Sequence, residues 1–198
     1  MRVLFAIALL LMFAVSTEAA GSVNLFPRSA ELEPAVTFWT RVYTEIDTGH
    51  GFIHDSKHLD VVYAVISLPA TQSPRVRDKA IRVAKDRYAQ ILRLLARGKR
   101  SNLSVEAERV LSLWPDNVSK KTLRNAARQL RFQQGQADKF REGWVRSGVW
   151  MPHILQALSS QDLPAELAVL PHVESSFNPN ASSHAGAVGL WQFTRSTG

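Results

Sequence analysis

Residues 163–198 read LPAELAVLPHVESSFNPNASSHAGAVGLWQFTRSTG. Leu167, Ala168, Leu170 and Val173 are spaced for burial on one side of a helix. Pro171 sits among them and removes a backbone donor, so that helix is expected to kink or end early. Glu174 arrives directly after Val173, at the close of the apolar run. A carboxylate so placed is expected to be partly desolvated, which raises its pKa and lets it hold a proton near neutral pH. A general acid needs that property to protonate a glycosidic oxygen. A glutamate at a helix end is more often simply solvated, so the residues that follow decide the matter. Ser175 to Asn180 form a polar turn around one aromatic, Phe177. Gly186 and Gly189 flank Ala187 and Val188 and would let the backbone pass close to a ligand or a second helix. Leu190-Trp191-Gln192-Phe193 then sets a flat aromatic beside an amide, the pairing a sugar needs for stacking and for its hydroxyl and N-acetyl groups. Phe193 is assigned to the core, and Trp191 is left open to either role.

Upstream, the chain reads as α-rich. Phe38, Trp39, Val42, Tyr43 and Ile46 recur at helical spacing after Pro34, which suits a first turn. Val61 to Ile66 is short and β-branched and predicts one strand. The clearest pattern spans 75–97, where Val76, Ala80, Ile81, Ala84, Tyr88, Ile91, Leu92 and Leu95 make one apolar stripe, closed by Gly98. Shorter helices are predicted over 104–114 and 120–132, then a helix over 133–146 that ends at Ser147-Gly148, and another over 150–160. A division into a region 21–148 and a C-terminal unit 149–198 follows from that break.

Residues 1–20 carry Arg2, an apolar run over 3–15 and a small-residue exit, the order of a secretory signal peptide. That run is shorter than the ~20 residues a membrane span takes. The chain has 198 residues, 45% hydrophobic and 21% charged, which fits a globular protein with a real core. Its net charge of +7 would suit nucleic acid, an anionic membrane or an acidic polymer. Export argues against nucleic acid and for a cell-wall polymer bearing peptide carboxylates. No cysteine is present, so neither a disulfide scaffold nor a thiol for a lipid anchor exists in this sequence.

Other constellations are weaker. His50, His54 and His58 are four apart, but the glycines among them predict a solvated loop rather than a zinc site. His172 lies two residues from Glu174 without the His-Glu-x-x-His spacing of a metalloprotease. The serines at 175, 176, 182 and 183 lack the strand–turn–helix setting of a nucleophile elbow. No cofactor and no metal are expected.

The run Glu174-Ser175, Phe177-Asn178-Pro179, Ala181, Ser183, Gly186-Ala187, Gly189-Leu190 and Gln192, with Thr197 beyond, resembles the signature of lytic murein transglycosylases. These belong to the soluble-transglycosylase (goose-lysozyme-like) superfamily. The Leu163-Pro164 lead-in and the Gly189 to Phe193 ending look most like the membrane-bound lytic transglycosylase D branch. The resemblance implies a mainly α fold: a helical N-terminal region leading into an incomplete lysozyme-like α domain, with room for one short strand segment. It implies that Glu174 is the single catalytic acid/base, cleaving the bond between N-acetylmuramic acid and N-acetylglucosamine with formation of a 1,6-anhydro sugar. Ser183 and Gln192 match substrate-contacting positions, Gly186 and Gly189 match backbone-shaping ones, and Trp191 joins them as a candidate for substrate binding. Peptidoglycan glycan strands are the implied partner and the periplasm the implied compartment.

The resemblance also implies a domain that continues beyond Gly198, and a lipid-anchor cysteine and LysM modules that are not in this sequence. A fragment with little or no turnover of its own is therefore expected. Two rivals stand beside that reading: a non-catalytic peptidoglycan-binding or scaffolding protein, and a lysozyme-type hydrolase.

Overall fold

The computed structural model describes residues 25–27, 29–70 and 73–196. The leader at 1–20 and Thr197 lie outside the described residues. A short 3-10 turn opens into helix α1 (Glu33–Thr44), followed by strands β1 (His50–Asp55) and β2 (Val62–Ser67). Helices α2 (Pro74–Ala96), α3 (Val105–Ser112) and α4 (Lys120–Ala126) come next, then strand β3 (Leu130–Gln134) and the long helix α5 (Ala137–Ser160). A 3-10 segment (Ala165–Val169) leads into α6 (Leu170–Glu174). The protein is mainly α with one small sheet, in keeping with the sequence.

The sheet is antiparallel with order β2-β1-β3, so β1 is its centre. Residues Gly51 to Asp55 are all buried, because both faces of β1 are covered. Phe52 packs with Phe38 and Val42 from α1 and Ile46 just past its end, and the Arg41 guanidinium lies 4.8 Å from the centre of its ring. Ile53 points the other way, into the principal core with Tyr63, Leu92, Leu95, Val110 and Leu123 from β2 and α2–α4. A strand buried on both faces shows no alternation of polar and apolar residues, so nothing in its sequence marked it. The solvated loop expected around His50 and His54 is therefore corrected: these residues are in β1, and His54 is buried with its ring 4.5 Å from that of Phe38. Gly51 is required for packing, since a Cβ there would fall 2.1 Å from Cε2 of Phe132 on β3.

Two further corrections concern helices. The span 120–132 was expected to be helical throughout, but α4 ends at Ala126 and Leu130 begins β3. The helices expected on either side of Ser147-Gly148 are one helix of 24 residues, with Pro152 inside it. The division at 148/149 thus falls within α5. Caps account for the ends of the shorter elements: Ser104 accepts the Ala107 amide at 3.2 Å and Ser119 the Thr122 amide at 3.0 Å. Gly98 ends α2 with a positive φ of 98°.

The C-terminal part packs on α5 through a separate cluster of Ile154, Leu158, Ala168 and Phe177, with Leu167, Leu190 and Trp191 against it. The start of α5 is tied to α1 by the Gln136 amide, which donates to Val42 O at 2.8 Å, and the Ala137 amide, which donates to Ile46 O at 2.9 Å. One helix therefore carries the C-terminal segment alongside α1.

Candidate active site

Pro171 sits at the start of α6, where a missing amide costs nothing, so the expected interruption becomes a change from 3-10 to α geometry at Leu170. The short helix ends on Glu174. Pro171 O then accepts the amides of Ser175 at 3.1 Å and Phe177 at 3.0 Å. Ser176 and Phe177 both have positive φ, near 52° and 55°. Two such residues in succession reverse the chain and drop the Phe177 ring into the core, fully buried. Gly143 on α5 permits this, because a Cβ there would lie 2.9 Å from Ser176 O, the atom that Arg146 Nε reaches at 3.0 Å.

Beyond the turn, residues 178–196 form a loop stitched by its own polar groups. The Ser183 hydroxyl accepts the Ala187 amide at 3.0 Å, and Gln192 Nε2 donates to Ala181 O at 3.2 Å and Gly189 O at 2.9 Å. Ser175 Oγ donates to Leu190 O at 2.8 Å, joining the end of α6 to the far side of the loop. Gly186 and Gly189 have φ of 81° and 77°, and almost nothing stands near where a Cβ would be. Their positive φ is a backbone conformation that favours glycine. Trp191 is half-buried on the α5 cluster, whereas Phe193 is 55% exposed; the assignment of Phe193 to the core is corrected. Gln192 between them has a positive φ of 51°, which periodicity does not register.

Glu174 is exposed and, among the described residues, makes no hydrogen bond or ion pair. The partly dry setting expected for it is not built by the described residues, because Val173 beside it is itself 64% exposed and the apolar face of α6 consists of Pro171 and His172 instead. The nearest chemistry is aromatic. Tyr43 on α1 has its pKa raised, first by burial and second by the charge of Glu174. With Thr44, Ala137, Phe140, Arg141 and Trp144 it lines a groove of about 220 Å³ between α1 and α5. His172 is 5% exposed and held among Phe140, Trp144 and Phe177, at ring separations of 4.9, 5.9 and 4.5 Å. Trp39 and Tyr43 extend the row along α1, 6.2 Å apart. Trp144 remains 67% exposed. The structure thus places Glu174 within electrostatic reach of Tyr43 in this aromatic row, while Ser183 and Gln192 commit polar atoms to the loop. Tyr43 and Trp144 were not singled out in the sequence. Tyr43 looked like part of a core stripe, and only the approach of α1 to α5 gives Trp144 a neighbourhood.

Among the described residues no cluster of His, Asp and Glu could hold a metal ion, and no helix is long and apolar enough to cross a membrane.

Residues 153–198 match the family model described as Transglycosylase SLT domain. The chain is 43% identical over 54 residues to membrane-bound lytic murein transglycosylase D of Escherichia coli (strain K12), a match covering 27% of this chain and 12% of that protein. It is equally similar, over 54 residues and 26% of each chain, to a protein of Alteromonas sp. (strain M-1) named for tributyltin chloride resistance. The matched stretch is thus about an eighth of the E. coli relative and a quarter of the Alteromonas one. No solved structure matches the chain. Residues 153–198 are thus similar to SLT transglycosylase domains.

Proposed function

We propose that the chain acts on peptidoglycan as part of a lytic transglycosylase in which Glu174 is the single acid/base. The observation that carries this is the SLT match over 153–198, with Glu174 closing α6 at its centre. In the proposed reaction Glu174 protonates the oxygen linking N-acetylmuramic acid to N-acetylglucosamine, and that bond breaks. The substrate's N-acetyl group stabilises the developing positive charge, so a second carboxylate is not needed. Glu174, now ionised, removes the proton of the muramoyl 6-hydroxyl, whose oxygen closes on the anomeric carbon and yields the 1,6-anhydro end. The aromatic row from Tyr43 to Trp144 offers the flat apolar faces on which sugar rings stack.

An acid of this kind works only when its surroundings favour the protonated form. Because the described residues leave Glu174 in water, we assign the 198-residue chain only trace turnover alone. Ser183, Gln192 and Trp191 are proposed to shape and line the substrate side of the loop, with Gly186 and Gly189 setting its backbone. Residues 21–148 are proposed as an accessory region, 149–198 as the start of the catalytic unit, and 1–20 as the leader that exports the protein to the periplasm.

A second reading, a non-catalytic wall-binding protein, is favoured by one observation: the amide of Gln192 and the hydroxyl of Ser183 are engaged within the loop. Incubating purified sacculi with the chain and with Glu174→Gln separates the two. The transglycosylase reading expects cosedimentation of both proteins and traces of anhydro-muropeptides from the wild type alone. Equal cosedimentation with no release from either would support the binding reading. Release of reducing ends instead of anhydro ends would favour a lysozyme-type hydrolase.

A further inference from the structure

Away from Glu174, exposed arginines at the ends of two helices line one cleft. α2 contributes Arg93, and Arg97 caps its end four residues later, on the same face. α4 contributes Arg124, and Arg128 follows four residues later, just past its end. The four line a single cleft of about 340 Å³ with Ala96 and Ala127. Both alanines are buried, so small side chains let the helix backbones approach while the long arginines form the walls. Contact of Lys120 with Gly98 ties the start of α4 to the end of α2; a Cβ on Gly98 would lie 2.9 Å from Cε of Lys120.

None of the four guanidiniums has a carboxylate partner or a side-chain hydrogen bond among the described residues. Arg41 pairs with Glu45, Arg87 with Glu106 and Arg146 with Glu142, whereas Arg75, Arg77 and Arg82 on α2 are, like the four, without a carboxylate partner among the described residues. What sets the four apart is that they line one cleft. A helix C-terminus favours a cation, which accounts for one arginine at the end of each helix. It does not account for two pairs converging on one cleft, where like charges repel. A guanidinium fork accepts carboxylate or phosphate oxygens in pairs. One carboxylate would satisfy one fork and leave three charges facing each other, whereas a compact, multiply charged phosphate or diphosphate answers several at once. We propose that this cleft is a binding site for a phosphate-bearing ligand, taking the phosphate or diphosphate group between Arg93 and Arg97 on one wall and Arg124 and Arg128 on the other. The site is independent of the chemistry proposed at Glu174.

Calorimetric titration of the whole chain with pyrophosphate tests this. Saturable binding is expected, competed by inorganic phosphate and weakened at least about tenfold in Arg93→Gln/Arg124→Gln. Arg75→Gln/Arg82→Gln removes the same charge from exposed positions of α2 outside the cleft and should leave the affinity within about twofold. Absence of saturable binding, or equal weakening by the two pairs of substitutions, would overturn the site. Vesicles containing phosphatidylglycerol distinguish the source of the phosphate. Binding that pyrophosphate displaces and that the cleft variant loses identifies a lipid headgroup. Vesicles that do not bind, beside intact pyrophosphate binding, identify a soluble phosphate ester.

Discussion

His172 holds two ring nitrogens in an aromatic box without a hydrogen-bond partner for either. A buried polar atom left unpaired costs about 1–3 kcal/mol, so His172→Phe should stabilise the protein at pH 7 by about 1 kcal/mol. For a chain of this size that is a rise in melting temperature of about 2–4 °C. Burial also depresses the pKa of His172, and that of His54, below the ordinary histidine value of about 6.5. The unfolded chain then binds protons that the folded chain refuses. Stability is complete above that value and declines as pH falls below it, toward the folded pKa values. Calorimetry at pH 7 and pH 5 should show a smaller acid-induced loss in His172→Phe than in the wild type, with His54 supplying part of the remainder. An identical loss in both would show that His172 contributes none of it. At this scale the sequence singled out Glu174 as the candidate carboxylate and expected a partly dry setting that the described residues do not build. Whether Trp191 or Phe193 is buried depends on a positive φ at Gln192, which side-chain pattern does not encode.

The elements that present Glu174 depend on a single close approach. Alanine in place of a helical glycine ordinarily stabilises by up to about 1 kcal/mol. At Gly143 the new Cβ would meet Ser176 backbone atoms at 2.9–3.2 Å, and the turn must move. Gly143→Ala should therefore leave the sheet and α2–α4 intact while loosening 175–178. Exchange of the Ser175 and Phe177 amides, both bonded to Pro171 O, should quicken by at least about tenfold, the equivalent of ~1.4 kcal/mol. Unchanged exchange would mean that α5 does not position the turn. The same scale shows what was legible. α1 and α2 stood out because each has one buried stripe on a solvated helix. β1 and β3 did not. β1 is apolar on both faces around two histidines, and Leu130 to Gln134 continues the helical composition of α4 without a break signal. The uninterrupted α5 was read as two helices because Gly148, exposed and with nothing near its Cβ position, is tolerated in mid-helix.

Across the whole molecule, one cluster joins α2–α4 to the sheet, a second joins α1 to its other face, and a third lies under the SLT segment. α5, about 36 Å long, belongs to both ends. Its first turn docks on α1 and its last turns carry Ile154 and Leu158 beneath Phe177. This continuity brings Tyr43 from the N-terminal region within electrostatic reach of Glu174. It also sets Tyr43 and Trp144 on one groove between α1 and α5. The central claim is that Glu174 is an acid/base once it is enclosed. Its most direct test replaces the matching stretch of the E. coli relative with residues 153–198 of this chain and identifies the muropeptides released from sacculi by mass spectrometry. The account predicts products ending in 1,6-anhydro-muramic acid, and their loss by a factor of at least about 10² when Glu174→Gln is introduced into the exchanged stretch. Release of the same anhydro products at an undiminished rate by the Glu174→Gln chimera would contradict it.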